Sequence, residues 1–212
     1  MRFLSFFVLL VSCASIQTNA KYPDNWWRVV PNNELKSWEI PPQAADRNYN
    51  EVILSKRTEL GILSNFAPTP FEYRGKKYAS LEGFWQMMKY PEGPNDPRIR
   101  KDIVWEFTRD QVATMSAFEA KDAGKKASDN MKKMGIEWIS FEGEQIYYRA
   151  SEEGRERHYK IIVEATGAKI NQNPEVERIL RATGDLKLLP DHRQEEGATK
   201  AYRYFEIYMM LR

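Results

Sequence analysis

The sequence predicts an α+β fold that is mostly helical and carries a small antiparallel sheet in a single domain. The chain has 212 residues, of which 42% are hydrophobic and 29% are charged, and this size supports a core that needs no disulfides. Short segments rich in β-branched and aromatic residues lie between 51 and 80, and longer segments with helical periodicity follow them. Strands followed by helices are typical of an α+β domain.

Residues 1 to 20 predict an export signal. Arg2 precedes an apolar run over residues 3 to 11, and small and polar residues follow, which is the order of a secretory signal peptide. The run is shorter than the roughly 20 apolar residues of a membrane-spanning helix. Cleavage after Ala20 is favoured, but "LVSC" resembles the bacterial lipoprotein box and would make Cys13 a lipid anchor instead. We therefore expect an exported protein of the periplasm, outer envelope or medium, with an uncleaved N-terminus that packs on the domain as the alternative.

Residues 21 to 47 predict an extended arm. The segment holds four prolines and three tryptophans among polar residues, with no sustained period of 2 or 3.6. Trp26, Trp27 and Trp38 are expected to pin the arm to the domain, because no Lys/Arg pattern alternates with them as in a stacking surface. Exposed stacking on a ligand is the alternative.

The domain proper is predicted over residues 48 to 212. Strands are expected in "EVILSK", "PFEYRG" and "KKYAS", with a hairpin turn at Arg74-Gly75. Glu142-Gly143 marks a second hairpin or an irregular insertion over 137 to 150. Helices are predicted over residues 81–90, 96–105, 109–116, 117–133, 152–168 and 174–183.

Composition excludes several kinds of site. The 32 basic and 30 acidic residues leave a net charge of +2, which gives no electrostatic reason to expect nucleic acid as a partner. Cys13 is the only cysteine, so the mature chain has no internal disulfide, cysteine zinc cluster or thiol nucleophile. His158 and His192 show no metal-binding spacing. We expect no metal and no cofactor, a packed or helix-exposed His158, and a His192 that lines the site.

One helix carries a lone carboxylate among apolar residues. If Ser80 caps the helix, then Glu82, Gln86 and Lys89 fall at i, i+4 and i+7 and share one face. A surface helix would show more charge, so Glu82 would be partly buried and its pKa perturbed. The alternative is a solvated pair of Glu82 with Gln86 or Lys89.

The stretch "LSNF", followed by "PFEYRGKKYASLEGFWQMMK", is similar to the signature of the NADAR (YbiA-like) N-glycosidase family. Glu82, Gln86 and Lys89 match the family's Glu-x-x-x-Gln-x-x-Lys pattern. Weaker matches follow in "AGKKA" (123 to 127), in residues 164 to 188 and in the closing "YRYFEIYMMLR". The resemblance covers about residues 48 to 212 and implies a YbiA-like fold.

The resemblance also implies a set of site residues. Glu82 and Asp191 would be catalytic, although the family's Trp-Gly loop is missing from "LLPDHRQEEGATKAYRYF" and Pro190 stands where a Glu is usual. Trp138 matches the family's ring-holding tryptophan only with an insertion, and Tyr147 or Tyr148 are alternatives. The substrate-binding residues expected in all are Asn65, Phe66, Gln86, Lys89, Trp138, Lys169 and His192.

The chemistry of the residues agrees with these roles. Cleavage of a nitrogen–ribose bond builds positive charge at the sugar C1, which calls for one carboxylate near that carbon and another for the water or the leaving group. Asn65 suits a ribose hydroxyl or base edge, and Lys89 or Lys169 suits a phosphate. The alternatives are a turn residue for Asn65 and a solvated helix end for Lys169.

The sequence thus predicts a hydrolase that cleaves an N-glycosidic bond of a small nucleotide-like substrate. The family resemblance allows an ADP-ribosyl or a ribosylamino-pyrimidine compound, and export disfavours the second because that intermediate belongs to the cytosol. The alternatives are a non-catalytic module of the cell envelope that binds NAD or ADP-ribose, and an envelope protein that uses the fold as a scaffold.

Overall fold

The computed structural model describes residues 21–212 and confirms the α+β class. The helices are α1 Leu81–Met87, α2 Arg109–Ala113, α3 Ala117–Met134, α4 Glu152–Gln172, α5 Pro174–Ala182 and α6 Tyr204–Leu211. The strands are β1 Glu51–Ile53, β2 Phe71–Tyr73, β3 Lys76–Tyr78, β4 Ile139–Phe141, β5 Glu144–Ile146 and β6 Lys187–Leu189. The predicted export signal and Cys13 lie outside the described residues.

The strands form three two-stranded sheets. β2–β3 and β4–β5 are antiparallel hairpins, and their turns place Arg74-Gly75 and Glu142-Gly143 at positive φ, as type I′ turns require. β1 was expected in an antiparallel sheet, but it pairs in parallel with β6. Strand β6 was not predicted, because a three-residue strand shows too little alternation of apolar and polar residues to be recognised.

The helix predicted over 96–105 does not form. Asp96 instead accepts hydrogen bonds from the backbone N–H groups of Glu92 and Arg98, at 2.8 and 2.9 Å, and pairs with the buried Arg98 guanidinium. An aspartate that bonds the local backbone in this way favours turns over helix. Within residues 21–212, no helix is both long and apolar enough to cross a membrane.

Two hydrophobic clusters form the core of the described residues. One joins α1 and α3 to the two hairpins, and the other gathers β1, β6, α5 and α6 around Trp26. Trp26 is fully buried and donates to Glu59 Oε1 at 2.7 Å, while Trp27 donates to the Glu51 carbonyl at 2.8 Å. Both tryptophans therefore pin the arm, as predicted.

Candidate functional site

Helix α1 presents the candidate acid. Ser80 caps the helix, since its Oγ accepts from Gly83 N at 2.9 Å and donates to the Met115 carbonyl at 2.9 Å. Glu82 N donates to the Asn65 carbonyl at 2.9 Å. The start of α1 therefore lies directly against the loop that carries Asn65.

Glu82 is a buried carboxyl and not a solvated one. Its exposed fraction is 8%, and Gln86 Nε2 donates to its Oε1 at 2.8 Å. Burial raises the pKa of Glu82, because a charged carboxylate loses its hydration, and this outweighs the lowering by the Gln86 hydrogen bond and by the charges of Lys89, Lys121 and His192. Glu82 thus holds its proton to a higher pH than a free glutamate does.

Gln86 and Lys89 line the same face and are fixed by α3. Lys89 Nζ donates to Ser128 Oγ at 3.0 Å, and burial lowers the pKa of Lys89 to about 8. Gly124 makes room for the Gln86 amide, because a Cβ there would lie 1.7 Å from Gln86 Oε1. This glycine belongs to "AGKKA", one of the weaker matches to the family pattern.

Lys169 holds the loop of Asn65 and does not face a ligand. Its side chain is fully buried, and Nζ donates to the carbonyls of Ile62 and Ser64, both at 3.0 Å. Burial lowers the pKa of Lys169 to about 7. Neither direct phosphate binding nor a solvated helix end, the two roles considered for Lys169, fits this position. It fixes the backbone that presents Asn65 and Phe66, both half-buried.

Asp191 is the second buried carboxyl. It is ion-paired with Lys56, and its Oδ1 lies 2.9 Å from His192 Nδ1 and 3.3 Å from the Tyr204 hydroxyl. Burial alone would raise the pKa of Asp191, but the His192 hydrogen bond and the Lys56 charge outweigh it and lower that pKa. The arm holds this segment, because Ile40 N donates to the Asp191 carbonyl at 2.7 Å. Asp191 is therefore ionised.

His192 is a partner of Asp191. It contacts Asp191 directly, and its charge acts on the pKa of Glu82. A carboxyl that retains its proton and another that releases it are suited to the roles of acid and anionic partner. The site can therefore donate a proton and stabilise a positive charge at the same time.

Three aromatic side chains lie beside these carboxyls. The Phe66 and Phe118 ring centroids are 5.3 Å apart, and those of Phe118 and Trp38 are 6.3 Å apart, both edge-on. Trp38 is 41% exposed and Phe118 is 50% exposed. Ligand stacking was only the alternative expected for Trp38, which is partly exposed here. Phe118, Lys56 and Lys121 were not predicted as site residues, because no local pattern shows that these separate segments meet.

Trp138 packs inside the domain. It is buried, with the Arg98 guanidinium carbon 4.5 Å from its ring centroid. Arg98 in turn donates to the Met88 carbonyl at 3.1 Å, beyond the end of α1. The ring of Trp138 thus packs on a buried arginine, and its role in holding a substrate ring stays a prediction. Of its two alternatives, Tyr148 is buried against Trp85, and Tyr147 is 45% exposed.

His158 packs inside the domain. Its ring centroid is 4.5 Å from that of Trp85, and burial lowers the pKa of His158 to about 3, so the imidazole is neutral. With Asn65, Trp85 and Tyr202 it lines a cavity of about 20 Å³. No group of three or more His, Cys, Asp or Glu side chains among residues 21–212 is placed to hold a metal ion.

Comparisons with known proteins give one similar structure. No protein-family model matches the chain, and no curated protein matches it. The chain is similar to the NMR structure of the E. coli protein YbiA, with 19% sequence identity and a TM-score of 0.46 over 74% of this chain and 79% of that chain. The case for an activity therefore rests on the residues of the site.

Proposed function

We propose that the protein is an N-glycosidase that hydrolyses the bond between a ribose and a nitrogen base. The observation that carries this proposal is a pair of buried carboxyls with different partners. Among the described residues, the Glu82 carboxyl accepts only from the neutral Gln86 amide, whereas Asp191 is ion-paired with Lys56 and contacts His192. The pKa of Glu82 is therefore raised and that of Asp191 lowered. Glu82 matches the Glu of the NADAR pattern, and Asp191 is the best counterpart of that family's catalytic Asp, so the resemblance and the electrostatics support the same assignment.

Protonated Glu82 gives its proton to the leaving nitrogen as the C1–N bond breaks. Ionised Asp191 stabilises the positive charge that develops at C1. A water then adds to C1, and the proton that it releases restores Glu82. Gln86 fixes the Glu82 carboxyl through its hydrogen bond.

The substrate is proposed to be a small nucleotide-like molecule of the ADP-ribosyl type. The Asn65 side chain forms no hydrogen bond to residues 21–212, so its amide is free to bind a sugar hydroxyl or base edge. Lys121 is exposed and makes no salt bridge to these residues, so it suits a phosphate. We also propose that residues 1 to 20 direct export of the protein. An exported location favours an ADP-ribosyl substrate over a ribosylamino-pyrimidine, which is cytosolic.

The test is release of free base from ribosylated substrates, measured by chromatography. The chain from Lys21 onward is incubated with nucleosides ADP-ribosylated on a base nitrogen, whose leaving nitrogen needs a proton, in parallel with Glu82→Gln and Glu153→Gln. Glu153 is an exposed residue of α4, so its variant is the matched control. We expect release by the wild type and by Glu153→Gln, and a loss of about 100-fold or more in folded Glu82→Gln, as for a lost general acid. Equal release by Glu82→Gln would disprove its role.

A non-catalytic binding module is the second candidate. The missing Trp-Gly loop and the ion pair that holds Asp191 on Lys56 favour it. This candidate predicts a rise in melting temperature with ADP-ribose or NAD, without release of base by the wild type from any substrate of the panel.

A further inference from the structure

An exposed aromatic cluster stands beside the two carboxyls. It consists of Trp38 from the arm, Phe66 from the loop before β2, and Phe118 from the first turn of α3. Trp38 and Phe118 are each about half exposed, at 41% and 50%. Large aromatic side chains that remain exposed together mark a surface to which something binds.

Local contacts place this cluster near both carboxyls. The carbonyl of Asn65, next to Phe66, accepts from Glu82 N at 2.9 Å. Lys56, the ion-pair partner of Asp191, has its Nζ 5.5 Å from the Trp38 ring centroid and 5.2 Å from that of Phe66. Lys121, whose charge acts on Glu82, has its Nζ 5.9 Å from the ring centroids of both Phe66 and Phe118. The cluster is therefore within reach of a substrate held at the two carboxyls.

The backbone holds both exposed rings in place. Glu39, next to Trp38, forms a β-bridge to His192 and binds the Arg57 guanidinium at 2.9 Å. Ala117, next to Phe118, has a φ of 50°, a left-handed conformation that a non-glycine residue rarely adopts, and its N–H donates to the Phe66 carbonyl at 3.2 Å. Such strain persists only where the surrounding structure fixes it, and it concentrates at functional sites.

We propose that Trp38 and Phe118 form the subsite for the planar base of the substrate. This inference rests on the proposed function and names the part of the site that binds the leaving group. Flat heteroaromatic bases stack on aromatic side chains whichever hydrogen-bonding groups the edge of the base carries.

The inference is tested by the tryptophan indole signals in ¹H–¹⁵N NMR spectra. The chain has six tryptophans, and Trp38→Phe identifies the signal of Trp38. We expect adenosine and cytidine to shift this signal, and ribose, which lacks a base, to leave it unchanged. A Trp38 signal that responds to neither nucleoside would overturn the inference.

Affinity separates the proposed rings from the rival tyrosine. Trp38→Ala and Phe118→Ala should each weaken nucleoside binding by about 5- to 150-fold, the range that one base–aromatic stack contributes. Tyr147→Ala, which removes another half-exposed aromatic, should leave affinity unchanged. Nucleoside binding at Trp38 without base release would support this subsite while contradicting the N-glycosidase. Base release that is unaffected by Trp38→Ala and Phe118→Ala would contradict only the subsite.

Discussion

Gly124→Ala probes how tightly the catalytic face is packed. Gly124 lies inside α3, where replacement of glycine by alanine ordinarily stabilises a helix by about 1 kcal/mol. Here the new Cβ would lie 1.7 Å from Gln86 Oε1 and 2.1 Å from Gln86 Cδ. The Gln86 amide would have to move away from this Cβ. Because Gln86 is buried, we expect the movement to break its hydrogen bond to Glu82.

The opposing effects can be added. Overpacking costs about 1–3 kcal/mol and a lost buried hydrogen bond about 1–2 kcal/mol, against the gain of about 1 kcal/mol in helix propensity. We expect the free energy of unfolding to fall by about 1–4 kcal/mol in Gly124→Ala. The Gln86 hydrogen bond lowers the pKa of Glu82, so its loss should raise that pKa further and move the limb of the pH–rate profile controlled by this acid to higher pH.

Gly167→Ala is the matched control for this variant. Gly167 lies inside α4, and a Cβ there would meet no atom within 4 Å. This variant should gain about 0.5–1 kcal/mol. Urea unfolding of both variants, followed by circular dichroism, measures the difference. Equal stabilisation by the two substitutions would show that Gln86 is not held against Gly124 and would refute the packing argument.

Three further predictions concern buried titratable groups. Burial raises the pKa of Glu82 in the folded protein above 4.5, so the wild type loses stability as the pH rises through that folded-state pKa. At pH 8, urea unfolding should show Glu82→Gln to be more stable than the wild type. The difference in the free energy of unfolding should shrink toward pH 4. Burial lowers the pKa of Lys169 from 10.5 to about 7. The free energy of unfolding of the wild type should therefore rise as the pH increases from about 7 toward 10.5. Lys169→Met should lack this rise in the same assay. Burial lowers the pKa of His158 to about 3, so its imidazole NMR signals should not titrate between pH 5 and 8, in contrast to a solvated histidine.

Local rules account for what the sequence predicted. Helical spacing places Glu82, Gln86 and Lys89 on one face whatever surrounds the helix, and the Ser80 cap fixes where that helix begins. Arg74-Gly75 and Glu142-Gly143 specify turns through backbone angles that the sequence itself encodes.

Tertiary placement accounts for what the sequence could not predict. The pairing of β1 with β6 joins segments that lie far apart in the chain, and no local pattern encodes it. The same holds for Trp38 and Phe118, which meet only after the arm folds over α3. Lys169 reads as a helix-end cation in sequence, and only the fold shows that two carbonyls bind its amino group.

The most direct test of the site is a ¹³C NMR titration of the Glu82 and Asp191 carboxyl carbons, assigned with Glu82→Gln and Asp191→Asn. It depends on no choice of substrate. Glu82 should titrate above the 4.5 of an ordinary glutamate, and Asp191 below the 3.8 of an ordinary aspartate. A Glu82 that titrates at or below 4.5 would contradict its assignment as the acid, and with it the division of roles on which the proposed mechanism depends.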